Sequence, residues 1–360
     1  MTQTGDAMSR LLGEHEADSI RKLSSDLVRV VVAVPTLNEA GSLREVISAL
    51  LREQVELANL NIVIADGGST DGTIEIAKEL ANTNSCVHYI HNPKRIQAAA
   101  VNLVAREWAG RADVLVRCDA HAGYPRRFVS SLIEAIEQHA AQSVVVPMDS
   151  HGQGCVGKSV AWVSDTVLGS GGSSHRGGRR SGFVDHGHHA AFVLKDFLGN
   201  GGYDETFSHN EDAELDCRLI AGGSRIFLES SIRVQYYPRE SLSSLWKQYF
   251  NYGRGRSRTI RKHPKSIGLR QFLVPAHALL FFSSILLFLF IGNLFFLAWP
   301  LFYLSILTAF SIYIARSKRD WCGLLSGVSA ATMHTAWAFG FTWGLLTQPE
   351  VRWVPAGRST

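Results

Sequence analysis

The chain has 360 residues, 46% of them hydrophobic, enough to bury a sizeable core in one large domain with something further beside it. Its 36 basic residues against 32 acidic give a formal charge of +4, too mild to imply nucleic acid as a partner. The five cysteines (Cys86, Cys118, Cys155, Cys217, Cys322) are scattered and form no CxxC pair, which argues against a disulfide framework or a zinc site and suggests a reducing compartment.

Residues 1–27 read as a polar extension of mixed charge. Met1–Asp26 has no basic n-region followed by an apolar h-region, so no cleaved signal peptide is expected. A domain over 28–240 then alternates strand and helix patterns. The β-branched run Val28–Val34 predicts a strand, with a helix from about Ser42 to Leu51. Asn61–Ala65 and Val87–Ile90 predict two more strands, followed by helices over Thr73–Leu80 and Ile96–Trp108. Val114–Cys118 is the fourth strand. Pro125, suited to a first helical position, opens a helix to about Gln138, and Ser143–Val146 is a fifth strand. Such alternation implies an α/β fold with a mostly parallel sheet covered on both faces.

Sheets of this kind bind ligands beyond the carboxyl ends of their strands. Those ends carry Pro35–Thr36–Leu37–Asn38–Glu39, then Asp66–Gly67–Gly68–Ser69–Thr70–Asp71–Gly72, then Asn92–Pro93–Lys94–Arg95, then Asp119–Ala120–His121. Ordinary loops are polar too, but this density of carboxylates and glycines on one rim favours a nucleotide or sugar pocket. Residues i and i+2 of an extended segment share a face, so Asp119 and His121 can offer an oxygen and a nitrogen donor to one divalent cation. An Asp closing a strand is more often a turn former.

The glycine-rich connection Ser150–Gly187 has the length of a functional lid or a disordered segment. Inside it, Gly152–Gln153–Gly154–Cys155–Val156–Gly157–Lys158–Ser159 matches both GxxxxGKS and GxGxxG. A P-loop normally follows its strand directly, whereas Pro147–His151 intervene here, so a membrane-tethered P-loop NTPase is the weaker reading. Asn210–Glu211–Asp212 opens a helix to about Ala221 with Asn210 as N-cap, and acids in a first turn also simply complement the helix dipole.

A juxtamembrane segment, 241–271, holds the basic run Arg254–Arg270, with Arg256, Arg258, Arg261, Lys262 and Lys265 and no acidic residue. Within 272–346, Phe272–Ile291 and Leu294–Ala315 are each about twenty apolar residues, enough to span a bilayer. Cys322–Leu346 is a third candidate, weakened by His334 and small polar residues. Arg316, Lys318 and Arg319 separate the second and third segments. A hairpin of two spans puts both basic clusters and the α/β domain on the cytoplasmic side of an inner membrane. Residues 347–360 form a tail.

Four motifs in order, VAVPTLNE (Val32–Glu39), ADGGSTDGT (Ala65–Thr73), Asp119-x-His121 and Asn210–Glu211–Asp212, resemble those of family-2 glycosyltransferases with a GT-A fold. VDHGHHAAF (Val184–Phe192), GGYDETFSHNEDAELDCRL (Gly201–Leu219) and YFNYGRGRSRT (Tyr249–Thr259) are similar to the glucosyltransferases of succinoglycan-type exopolysaccharide assembly, and the resemblance covers roughly Val30–Leu346. It implies a Rossmann-like, mostly parallel central sheet flanked by helices, followed by C-terminal membrane helices. It also implies that Pro35, Thr36, Asn38, Glu39, Gly68, Ser69, Lys94, Arg95 and Asp119 bind the nucleotide sugar and that Asp66 hydrogen-bonds the uracil. Asp119 and His121 match the DxD signature, which holds a divalent metal, Mg2+ or Mn2+, on the diphosphate. Asp212, with Glu211 beside it, matches the ED motif, whose carboxylate is the general base for the acceptor hydroxyl. His186, His188 and His189 line the acceptor subsite or simply pack, and Gln248 and Arg254 fall on the acceptor side.

The implied activity is inverting transfer of a hexose, glucose in the nearest similarity, from a UDP-sugar to a lipid-linked saccharide. The membrane and other exopolysaccharide-assembly enzymes are candidate partners, and a polyprenyl-phosphate glycosyl synthase is the near alternative. Three features depart from the family. VDDGS is Asp66–Gly67 here, DxD has become DxH, and Gln248 is not followed by the QxxRW motif of processive members, which suggests addition of a single sugar.

Overall fold

The computed structural model describes residues 28–171, 180–349 and 353, so the N-terminal extension and most of the C-terminal tail lie outside it. The buried β-branched run at the start makes β1 (Val30–Thr36) the centre of a parallel half-sheet. On one side it pairs with β2 (Leu60–Asp66), beyond which lies β3 (Val87–His91), and on the other with β4 (Val114–Arg117). Helices α1 (Leu43–Leu51), α2 (Thr73–Thr83) and α3 (Gln97–Glu107) make the crossovers. Parallel pairing through such crossovers leaves all four carboxyl ends on one rim. Alternate side chains of β1 enter different cores. Val30, Val32 and Val34 pack with Leu43 and Ile133 of α1 and α4 (Phe128–His139), while Val31 and Ala33 pack with Ala100 and Val104 of α3.

The second half of the sheet is mixed. β5 (Ser143–Val145) does not join β4 directly, because β8 (His189–Val193) runs antiparallel between them. β9 (Ile226–Leu228) and β7 (Gly182–Phe183) complete the order β3-β2-β1-β4-β8-β5-β9-β7, and β6 (Met148–Ser150) pairs separately with β10 (Val234–Tyr236). The mostly parallel expectation holds: the N-terminal half is parallel throughout, and in the mixed second half β5 and β9 also pair in parallel. α4 begins three residues after Pro125, since Arg127 adopts a left-handed backbone (φ 59) that a continuous helix excludes.

The expected lid is largely helical where it is described, with α5 (Gly154–Ser164) and α6 (Val167–Ser170). The P-loop reading is overturned here. Lys158 pairs with Asp320 at 2.8 Å, and the fully buried Ser159 shares a hydrogen bond with Ser329 at 2.7 Å, so these residues fasten α5 to the C-terminal helices. The same packing brings Cys155 and Cys322 into a disulfide across 167 residues, a single bridge that the sequence reading, which argued against a disulfide framework and for a reducing compartment, did not expect. Two further helices, α7 (Leu194–Gly199) and α8 (Glu211–Ala221), complete the α/β domain.

Four long helices follow: α9 (Leu242–Lys262), α10 (Leu269–Ile291), α11 (Ala298–Lys318) and α12 (Ser326–Thr347). By length and composition, Gln271–Ile291 and Leu294–Lys318 are able to cross a membrane. They are largely unburied, with Leu279 71% and Phe290 85% exposed, which in water leaves an uncovered apolar surface. α12 behaves differently. Its Ser329, Ala330, Ala336 and Gly340 are buried, and it crosses α9 so closely that a Cβ on Gly340 would strike the Phe250 backbone and one on Gly253 the Trp337 carbonyl. The small residues of the third apolar segment admit the backbone of α9 at close range.

Candidate functional site

At the rim, the loops after β1 and β2 are laced together. The Asp66 carboxylate is fully buried and satisfied inside its own loop. It accepts from the Gly68 and Ser69 amides at 2.7 and 2.9 Å, from Ser69 Oγ at 2.5 Å and from Thr36 Oγ1 at 3.1 Å. Asn38, at φ 59, accepts from the Thr70 amide through Oδ1 (2.8 Å), while its own amide donates to Ser69 Oγ (2.8 Å). The Glu39 amide donates to Thr73 Oγ1 at 2.8 Å. Pro35 and Thr36 lie opposite Ala65 and Asp66 in register. In the third loop Arg95 (φ 59) brings its Cα against Gly67, and Lys94 is held by Glu205 at 2.5 Å.

Beside these loops the end of β4 carries the charged centre. Arg117, 6% exposed, donates to Asp212 Oδ1 at 2.7 Å and to the Tyr203 hydroxyl at 3.2 Å, and its Nε lies 3.6 Å from Asp119. Gln97, on α3, donates to Asp119 Oδ1 at 2.6 Å, and His188 Nε2 stands 3.9 Å from Asp119 Oδ2. His121 turns to Glu39, 2.8 Å away. One buried cation therefore sits between the two carboxylates assigned to opposite ends of the chemistry.

The electrostatics follow from this grouping. Burial disfavours the charge on Arg117, but Asp212 and then Tyr203 and Asp119 outweigh it, and the guanidinium is held charged well above its ordinary range. Burial would protonate Asp119, yet Arg117, then His188 and His121, keep its carboxyl below the usual value. Glu211 goes the other way. Burial, reinforced by the neighbouring Asp212 charge, pushes it up to about 7, so near neutrality it holds a proton part of the time. The Glu39 carboxylate raises the His121 imidazole against burial.

The helix bearing Glu211 and Asp212 is set from behind by α9. Asn210 does not cap α8 through its side chain as expected. It adopts a left-handed backbone (φ 69), and its Oδ1 accepts from Thr259 Oγ1 at 2.8 Å. Arg258 donates to the Thr206 carbonyl at 2.7 Å and lies over the Phe207 ring. Lys262 pairs with Asp204 and Glu214 at 2.7 and 2.8 Å. Arg256 donates to the Ser266 carbonyl at 2.6 Å and Arg261 to the Gly344 carbonyl at 3.1 Å. The basic run read as a membrane-surface patch is thus largely engaged inside the protein, four of its cations bracing loops and helix ends.

The acceptor-side residues divide. His188 joins the Asp119 cluster, whereas His186 is drawn to Asp216 of α8 at 2.6 Å, and His189 opens β8 opposite Val145. Gln248 donates to the Tyr236 and Tyr252 hydroxyls at 3.0 and 2.9 Å, and Arg254 lies against Gln348. Sequence reading missed Gln97, Arg117, Tyr203 and Thr259. Of these only Arg117 left a signal, as the one charge in an otherwise apolar strand.

Among the described residues no three His, Cys, Asp or Glu side chains form a ready-made metal cluster. The donor chemistry nevertheless suits a divalent cation, because Asp119 Oδ2 and His188 Nε2 face each other across 3.9 Å with His121 two residues along the chain.

Comparison with known proteins bears on this arrangement. The profile described as Glycosyl transferase family 2 matches residues 31–197. The succinoglycan biosynthesis protein ExoA of Rhizobium meliloti (strain 1021) is 42% identical over 311 residues, 86% of this chain and 93% of that protein. The dolichyl N-acetyl-alpha-D-glucosaminyl phosphate 3-beta-D-2,3-diacetamido-2,3-dideoxy-beta-D-glucuronosyltransferase of Methanococcus voltae is 26% identical over 65% of this chain and 74% of its own length. The solved mannosyltransferase PcManGT from Pyrobaculum calidifontis, in complex with GDP-Man and Mn2+, matches with a TM-score of 0.59 over 94% of this chain and 95% of that one. At 17% identity that likeness is one of fold. Identity of this extent across almost the whole length, on a GT-A sheet with its strand-end loops on one rim, makes the chain a member of glycosyl transferase family 2.

Proposed function

We propose that this glycosyltransferase moves one hexose, glucose, from a UDP-sugar to a polyprenyl-diphosphate-linked saccharide in succinoglycan-type exopolysaccharide assembly, with inversion at the anomeric carbon. The observation that carries the reading is the Arg117 bridge, which holds Asp212 within the same buried charge network as Asp119. Asp212, its side chain 19% exposed, is reachable by an acceptor hydroxyl. As its carboxylate takes the hydroxyl proton, the oxygen forms a bond to the anomeric carbon from the face opposite the diphosphate. The bond from that carbon to the diphosphate oxygen breaks, and the electron pair leaves with UDP. Arg117, 2.7 Å from Asp212 Oδ1, orients that carboxylate to receive the proton. A divalent metal, when held by Asp119 with His121 and His188, supplies positive charge to the departing diphosphate.

Glu39, Asn38 and Ser69 shape the loops against which the nucleotide lies, and Asp66 serves the uracil side through the loop it builds. The exposed apolar faces of α10 and α11 support a membrane hairpin, with the catalytic domain on the cytoplasmic side of the inner membrane.

The test is incubation of membranes containing the protein with radiolabelled UDP-sugars, with and without EDTA. Label from UDP-glucose is expected in extractable diphosphate-linked saccharide and is lost on chelation. Label on a lipid monophosphate alone would favour a polyprenyl-phosphate glycosyl synthase. No transfer from any UDP-sugar would overturn the assignment.

A further inference from the structure

The two acids that open α8 are held from two directions. In front, Arg117 of β4 donates to Asp212 Oδ1 at 2.7 Å. Behind stands α9, which comes very close to the residue just ahead of the acids. Gly255 is buried, and a Cβ there would collide with the His209 carbonyl oxygen and lie 2.7 Å from Asn210 Cβ. One turn further on, the fully buried Thr259 donates from Oγ1 to Asn210 Oδ1 at 2.8 Å. The Gly255 carbonyl of its own helix, the ordinary partner of a helical threonine, is more distant at 3.3 Å. Residues four apart share one face of a helix, so Gly255 and Thr259 form a single seat. The glycine provides the space and the threonine the bond.

Asn210 is a residue that needs such a seat. Its backbone is left-handed, at φ 69 and ψ 18, and its side chain makes no capping bond to α8. A residue other than glycine stays in that region only where its surroundings over-determine it. This one backbone setting decides the direction in which α8 leaves its loop, and Glu211 and Asp212 are the first residues of that helix. The other contacts of α9 with the region go elsewhere. Arg258 reaches Thr206, and Lys262 reaches Asp204 and Glu214, which braces the loop and the body of α8 whether or not Asn210 is seated. Nor is α9 free to draw back. Its opposite face closes on α12, where a Cβ on Gly253 would strike the Trp337 carbonyl and one on Gly344 the Ser257 hydroxyl.

We propose that Gly255 and Thr259 are positioning residues for the general base. By fixing Asn210 from behind they set the exit of α8 and aim Asp212 at the acceptor hydroxyl, while Arg117 holds the same carboxylate from in front. The assignment rests on Asp212 being the base, as proposed above. Thr259 is fully buried and out of reach of any substrate, so its contribution belongs to the rate of the chemical step and not to binding.

The test measures label transfer from UDP-glucose in membranes holding equal amounts of folded full-length protein, with UDP-glucose varied. Thr259→Val keeps the shape of the side chain and removes its donor. It should lower the maximal rate by about tenfold and leave the KM for UDP-glucose within about twofold. Asn210→Gly keeps the left-handed backbone without strain and removes the acceptor. Its loss should be similar, and both changes together should be no worse than either alone. Thr259→Ser retains the hydroxyl and should bring the rate back to within about threefold of wild type. A purely structural role would lower the amount of folded protein and spare the rate per folded molecule. In an Asp212→Asn background, a residue that acts through Asp212 has nothing left to aim. Thr259→Val should there change the residual rate by less than about twofold. An unchanged maximal rate in Thr259→Val, or a loss that persists undiminished in the Asp212→Asn background, would overturn the proposal. Undiminished turnover in Asp212→Asn alone would remove the base and the positioning role with it. Loss of transfer in Asp212→Asn beside full activity in Thr259→Val and Asn210→Gly would sink the positioning role alone.

Discussion

Replacing Arg117 with Met keeps the length and apolar stem of the side chain and removes its charge from a nearly closed site. The contact with Asp212 is 2.7 Å, which at an effective dielectric near 20 is an attraction of about 6 kcal/mol. Desolvation of the buried guanidinium offsets part of this. Deleting one partner also leaves Asp212 and Asp119 without their shared cation, so the expected loss of stability is about 3–5 kcal/mol. Both Asp119 and Glu211 are held lower by Arg117 than burial alone would leave them, so each takes up protons more readily in the variant. The acid limb of the pH–rate profile should therefore move to higher pH, and turnover should fall by about 100-fold as Asp212 loses its orientation. Chemical denaturation of the detergent-solubilised protein measures the first effect, and sugar transfer from pH 5 to 9 the second. Arg117→Lys, a point charge that cannot serve both carboxylates and Tyr203 at once, should fall between Met and wild type. A Met variant within about 1 kcal/mol of wild type and with an unmoved acid limb would refute the bridging role.

The remaining expectations touch other parts of the molecule. Asp212→Asn should cut transfer by about 100-fold or more while UDP-sugar binding persists, and undiminished turnover would remove Asp212 as the base. Glu214 is held down to about 2, because hydrogen bonds from His263, Arg218 and Lys262 outweigh its burial. A carboxylate depressed on folding contributes its stability in full above its ordinary value of 4.5 and loses it as the pH falls toward 2. About 3 kcal/mol should therefore disappear across that window, and Glu214→Gln should flatten it in acid denaturation. Gly340→Leu should force α9 and α12 apart and cost about 3 kcal/mol or prevent folding, read as a lowered melting temperature. Lys158→Ala should leave transfer within about twofold, since it breaks a half-exposed ion pair on α5 and no phosphate contact.

Short-range patterning made much of this protein legible in its sequence. The short apolar runs of β1 to β4, the helices between them and the turn-rich segments after them place four polar loops on one rim, because strand and helix signals are complete within a few residues. The apolar lengths of α10 and α11 are equally local, and the ordered motifs point to the family to which the chain belongs. What tertiary structure decided lies at long sequence separation. Nothing near His189 announces that β8 inserts between β4 and β5, and nothing near Cys155 names Cys322 as its partner. The glycines of α9 and α12 become meaningful only when the two helices cross.

The site divides in the same way. Asp119, His121, Glu39 and Asp212 stand out by type and position, but their wiring through Arg117, Gln97 and Glu39 depends on side chains converging from different strands and helices. The basic run of α9 is the sharpest instance. Composition alone makes it a membrane-facing patch. The fold turns Arg258 and Lys262 inward to brace the loop and helix bearing Asp212, because the desolvated carbonyls and carboxylates of residues 204–214 supply the partners these cations need.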